Sequence, residues 1–166
     1  MVKNNKLTIQ LTESHQMQKK IKLIIKDHIM RKKLKDIGSE KRFEYTGTFQ
    51  KFGIKSGYKS SLPTFIVTNV KDNNGKLITD HLWLNFTTMF NQFGWLQPGD
   101  IIKFSGRVDT YYKGYYKDEL DYRLTYPSKV SVIRNGTKLE KSSLLKNKKP
   151  YEIVDEIADR LGLPRY

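Results

Sequence analysis

Residues 96–116 read LQPGDIIKFSGRVDTYYKGYY: a turn, a strand and an aromatic loop in succession. Pro98 fixes φ, Gly99 takes positive φ and Asp100 accepts hydrogen bonds from nearby amides, so these three residues form the turn. Beyond it Ile102, Phe104 and Val108 alternate with Lys103, Ser105 and Arg107, the pattern of a strand with one apolar and one polar face. Gly106 interrupts that strand, where a bulge or tight bend would curl a sheet toward a barrel. Tyr111, Tyr112, Tyr115 and Tyr116 then surround Lys113 and Gly114. Four rings in six residues exceed what a turn can bury, so some of them face a ligand. Tyr112 continues the inward parity and is the ring expected to fill the barrel rim.

Composition narrows the ligand. The 166 residues hold 31 Lys and Arg against 17 Asp and Glu, a formal charge of +14. Residues 1–40, 41–133 and 134–149 carry +6, +5 and +5, while residues 150–166 carry −2. A strongly basic chain of this size meets nucleic acid more often than anionic membrane or an acidic protein. A basic surface that serves solubility is the plainer alternative. The absence of Cys excludes disulfides and thiolate metal sites and fits a reducing cytoplasm. The polar first twenty residues resemble no signal peptide, and every apolar run is too short to span a bilayer. The expected setting is therefore cytoplasmic, with no membrane partner.

Residues 1–11 read as mobile, with at most a short strand over 7–11. From 13 to 37 a helical period follows, with Met17, Ile21, Ile24, Ile25, His28 and Ile29 on one face and Gly38 as a stop. Its lysine-rich remainder either is a solvated face of a helix docked on the core or widens a phosphate-binding track. His28, on the apolar edge, is expected to pack. Residues 41–53 form a long curved strand in which Phe43, Tyr45 and Phe49 point one way, with Gly47 a bend point. Residues 54–63 are a loop bearing Lys55, Gly57, Tyr58 and Lys59. A second strand spans 64–70, and Asp72-Asn73-Asn74-Gly75 makes a hairpin turn. In the third strand, 76–85, Ile78, Leu82 and Leu84 face the core. Thr79, His81, Trp83 and Asn85 face the other way, and Trp83 is either covered by the N-terminal helix or left as a stacking platform. Residues 86–95 suit a short helix. After the fourth strand, 120–133 forms the fifth, with Leu120, Tyr122, Leu124 and Tyr126 in alternation and Pro127 at an edge or bulge.

The predicted class is mainly β: five strands, a helix between the third and fourth, and helices at both ends. That is the order of the OB fold, a partly open barrel that binds ligands on its strand 2–3 face between the 1–2 and 4–5 loops. Residues 47–49 through Gly57 and Tyr58, the segment 80–83, and 96–100 with 106–108 resemble small OB proteins of plasmids, phages and conjugative elements. Those are similar to single-stranded DNA-binding proteins. The resemblance covers residues 41–133, with 1–40 a basic helical extension, 134–149 a basic linker and 150–166 an acidic amphipathic helix. Here the chain departs from the common bacterial single-strand binder, which ends in a disordered acidic tail. In the helix, Ile153, Val154, Ile157, Ala158 and Leu161 share one face. It either packs back on the barrel, docks a protein partner, or competes with DNA for the basic surface.

The resemblance implies sequence-independent binding of single-stranded nucleic acid, DNA in preference to RNA, in replication or transfer of a mobile element, with assembly of several copies on the strand. Lysine and arginine would neutralise phosphates and aromatic rings would stack on bases. The residues expected to do so are Lys51, Lys55, Tyr58, Lys59, His81, Trp83, Lys103, Arg107, Tyr111, Lys113, Tyr115 and Tyr116. No cofactor is expected. His15, His28 and His81 are far apart, and neither HExxH, a P-loop nor GxGxxG occurs, so catalysis finds no motif. Asp118, Glu119 and Asp121 read as loop solvation. An OB module that recruits or inhibits a nucleic-acid-processing enzyme, and an RNA-binding protein, are the alternatives.

Overall fold

The computed structural model describes residues 2–164, apart from the side chains of residues 2–11 and 26–31. In chain order the elements are α1 (Val2–Ile37), β1 (Arg42–Ser56), β2 (Ser61–Asp72), β3 (Leu77–Asn85), α2 (Thr88–Asn91), β4 (Ile101–Lys113), β5 (Glu119–Arg134), β6 (Thr137–Lys138) and α3 (Pro150–Leu161). The strands form one antiparallel sheet in the order β3-β2-β1-β4-β5-β6. Three strands separate β3 from β5 in that order, yet both line one groove, so the sheet is rolled on itself. The five expected strands are present, and the two-residue β6 is a sixth.

Bulges supply the curl. An extra residue interrupts pairing at Gln50 in β1 and at Asn69 in β2, the latter at φ 51. Two more lie in β5, at Tyr126–Pro127 opposite Gly106 and at Lys129–Val130, with Tyr126 and Lys129 both at φ 50. Each adds a local kink and strengthens strand twist. The bulges expected at Gly106 and Pro127 are thus one feature seen from two strands.

Inside the roll Tyr45, Phe65, Phe90, Phe104 and Ile102 are buried. The turn before β4 closes this core: Phe49 N donates to Asp100 O at 2.8 Å and Gly99 N to Phe49 O at 3.1 Å. At one end of the roll, α3 places Ile153, Ile157 and Ala158 in the core against β1 and β2. Pro150 opens that helix, Glu152 accepts the Lys149 amide at 2.6 Å, and Gly162 ends it in the left-handed region at φ 64. Three residues of its apolar face thus pack back on the barrel, one of the outcomes expected for this helix, while Leu161 of the same face stays exposed.

Other expectations change as well. The stretch 7–11 is helical, not a strand. The packing expected of His28 and Ile29 lies outside the described side chains. Of the described part of α1 only the last turns pack, through Leu34 and Ile37, with Lys33 Nζ donating to Leu77 O at 2.9 Å. Met17, Ile21, Leu23, Ile24 and Ile25 are exposed, so this stretch is not docked on the barrel. The helix expected over 86–95 is one turn, followed by a bend. Residues 134–149 are no free linker: they include β6, bury Leu145 completely, and tie Ser142 N to Gln92 O at 2.6 Å. Among the described residues no helix is long and apolar enough to cross a membrane.

Candidate functional site

Where the rolled sheet fails to close, β3 and β5 flank a groove of about 450 Å³. Trp83 and Asn85 of β3 and Lys55 at the end of β1 line one side, and Arg123, Thr125 and Tyr126 of β5 the other. Trp83 is positioned by β1 beneath it: a Cβ at Gly53 would come 2.7 Å from the indole, so the ring lies directly on the glycine backbone. That contact leaves Trp83 49% exposed to the groove. Of the two expected environments, cover by α1 is not the one found: no described residue of α1 lines the groove on which the ring opens.

Tyr126 reaches the other wall through its bulge. Alternation with Leu124 would carry it inward; the left-handed φ turns it out, and it is 76% exposed. Arg42 at the start of β1 holds that turn in place. Its Nη2 donates to the carbonyl of Tyr126, to Ser105 O at 3.3 Å and to Ser128 Oγ at 3.0 Å. The groove holds two cations: Lys55, with no carboxylate partner among the described residues, and Arg123, whose Nη2 is 3.1 Å from Asp109 Oδ2.

The expected site residues do not all come together. Lys51, Lys55, His81 and Trp83 share the outward face of β1–β3: register runs Lys51–Ile66–Trp83 across one rung and Thr68–His81 on the next. His81 Nδ1 contacts Asp80 Oδ1 at 3.1 Å, so that imidazole already has an anionic neighbour. Tyr58 and Lys59 occupy the β1–β2 turn beside Lys55, both exposed. Arg107 pairs in register with Thr125 of the groove wall and with Arg42.

Tyr111 and Lys113 behave otherwise. On one face of the β4–β5 ribbon the Tyr111 hydroxyl donates to Asp121 Oδ2 at 3.2 Å. Lys113 Nζ lies 3.3 Å from that carboxylate and 3.5 Å from Glu119, while Arg123 stands over the Tyr111 ring at 5.5 Å. Both residues hold the ribbon together, and Asp121, read as solvated, is 3% exposed beneath them. Tyr112 is 63% exposed and fills no rim. Pairing of β1 with β4 stops at Arg107, so beyond it the ribbon has no neighbouring strand for Tyr112 to pack on. The tip itself presents Tyr115 and Tyr116, ring centroids 5.0 Å apart and edge to face, both almost fully exposed. Lys103 lies apart from the Trp83 groove and lines a different cleft with Lys71 and Lys129.

Arg42, Arg123 and Tyr126 escaped the sequence reading. Asn85 was placed on the correct face by parity but without a role. Among the described residues no three carboxylate or imidazole groups gather as a metal site would require. No protein-family model matches the chain, and no curated protein and no solved structure matches it.

Proposed function

We propose that the chain is an OB-fold protein that binds single-stranded nucleic acid, DNA in preference to RNA, in the groove between β3 and β5. The strand order and the connection of β3 to β4 through a short helix support the fold reading. The observation that carries the function is the pairing of two exposed rings, Trp83 and Tyr126, on opposite walls of a groove that also holds Lys55 and Arg123. Such a groove takes unpaired bases between rings and their phosphates on cations. Stacking contributes about 1–3 kcal/mol per base with little sequence preference. The exposed Tyr115 and Tyr116 at the ribbon tip extend the aromatic surface past the mouth. A duplex, with its bases stacked inside, offers this surface only phosphates. The role that follows is coating of single strands during replication or transfer of a mobile element.

Fluorescence anisotropy with labelled single strands of DNA and RNA and with duplex DNA, over a salt series, tests this. Single-stranded DNA should bind at least tenfold tighter than duplex, and log K should fall linearly with log salt. Equal affinity for duplex would contradict the stacking groove, and tighter binding of RNA would reassign the ligand.

A second reading rests on α1. Its exposed Met17, Ile21, Leu23, Ile24 and Ile25 beside Lys19, Lys20 and Lys22 favour a module that recruits an acidic protein. Tight binding to such a partner by a chain that ignores oligonucleotides would select it.

A further inference from the structure

We propose that a second segment of the bound strand lies outside the groove, its phosphates held on a rung of lysines across the outer face of the sheet. This rests on the single-strand reading above and lengthens the site that reading assigns. The rung crosses four neighbouring strands in register: Lys71 of β2 faces Thr46 of β1, Thr46 faces Lys103 of β4, and Lys103 faces Ser131 of β5. With strands about 4.8 Å apart, Lys71 and Lys103 stand about 10 Å from each other on either side of Thr46. Lys129 joins them from the β5 bulge, and all five residues line one cleft of about 500 Å³.

The cleft has the chemistry of a backbone site rather than a base site. Lys71, Lys103 and Lys129 are exposed, and none pairs with a carboxylate among the described residues. Two carboxylates also line the cleft against the three lysines, so its charge stays positive, and both accept hydrogen bonds from neutral donors. Asp72 Oδ1 accepts the amides of Asn74 at 2.9 Å and Lys76 at 3.0 Å, and Glu44 Oε2 accepts the Asn73 side chain at 3.1 Å. Thr46 and Ser131 add hydroxyls. Tyr45 also lines the cleft, and its buried hydroxyl has no hydrogen-bond partner among the described residues. The two rings present, Tyr45 and Phe104, are buried, so no base can stack here. Ammonium and hydroxyl groups without an exposed ring select a sugar–phosphate chain.

Strand β1 connects this rung to the groove. Thr46 and Thr48 before the Gln50 bulge, and Lys51, Gly53 and Lys55 after it, share its outward face. From Thr46 to Lys55 that path is about 30 Å at the rise of an extended strand. A bound chain long enough to follow it reaches both sites.

Oligothymidylates of about 4 and about 16 nucleotides, the ends of the range one such fold covers, separate the two contacts. In Lys71→Ala/Lys103→Ala/Lys129→Ala, with its melting temperature checked against wild type, the short oligomer should bind within twofold of wild type. The long one should lose at least tenfold, and its salt slope should fall by about 2, as three lost single-strand phosphate contacts require. An unchanged long-oligomer affinity and slope would overturn the rung and leave the groove standing. Equal weakening of both lengths would also overturn it, assigning the lysines to the groove's general field. If wild type bound neither length, the single-strand reading itself would fall, and the rung with it.

Discussion

Arg134 grips Asp100 with two parallel hydrogen bonds, Nε to Oδ1 at 2.8 Å and Nη2 to Oδ2 at 2.7 Å. Asp100 is 1% exposed and also accepts the Gln97 amide at 2.8 Å, while Arg134 Nη2 reaches Trp95 O at 3.1 Å. The pair ties the turn before β4 to the end of β5. Hydrogen bonding to Asp100 raises the Arg134 pKa above its already high ordinary value, so the guanidinium stays charged under any working condition. Removing Arg134 leaves the Asp100 carboxylate buried and uncompensated. Arg134→Met should therefore cost about 3 kcal/mol, read as a lower urea midpoint at unchanged slope. A loss below about 1 kcal/mol, the range of exposed pairs, would show the bridge to be ornamental.

Tyr45 gives a pH signature. Burial first, then the charge of Asp72, pushes its hydroxyl up to about 12 from 10.0. Below pH 10 folded and unfolded chains are both protonated there, so the residue contributes no slope. Between pH 10 and 12 the unfolded chain ionises first and stability falls, by about 3 kcal/mol at most for this one group. Tyr45→Phe removes an unpartnered buried hydroxyl. The variant should be at least as stable as wild type at pH 7 and lose less above pH 10, measured by denaturant titration across that range. A destabilised Phe variant at pH 7 would reveal a hydrogen bond to that hydroxyl.

The two terminal helices should respond oppositely to damage. Ile157 is fully buried, so Ile157→Ala should cost about 2–5 kcal/mol. Deleting residues 1–25 removes Met17, Ile21 and their exposed neighbours but spares Leu34, and should leave the melting temperature within about 2 °C of wild type. Calorimetry of both variants checks this. A collapse on the N-terminal deletion would mean that α1 covers part of the core.

Parity arguments succeeded where strands are regular and both neighbours exist. Leu82 and Leu84 are buried and Trp83 faces out, as alternation in β3 requires. The same arithmetic failed at Tyr126, because an αL residue inside a bulge reverses the side chain without a glycine to announce it. It failed differently at Tyr112, where parity held but the neighbouring strand had ended. The contacts of Tyr111 and Lys113 with Asp121 and Glu119 were not legible, because they depend on hairpin register, which composition does not encode. Periodicity likewise found the apolar stripe of α1 but contains no information about what covers it. Leu139 and Leu145 were hidden in a stretch whose charge read as linker.

The most direct measurement of the central claim is tryptophan emission from Trp83. Trp95, the other indole, lies under the Arg160 guanidinium at 4.0 Å and packs on Phe52 and Phe86, so a Trp95→Phe background isolates the groove signal. Titration with oligothymidylate should quench Trp83 saturably, and Trp83→Ala should weaken binding about 5- to 150-fold, the equivalent of about 1–3 kcal/mol of stacking. Emission that stays constant while the oligonucleotide binds, with Trp83→Ala at wild-type affinity, would contradict the account.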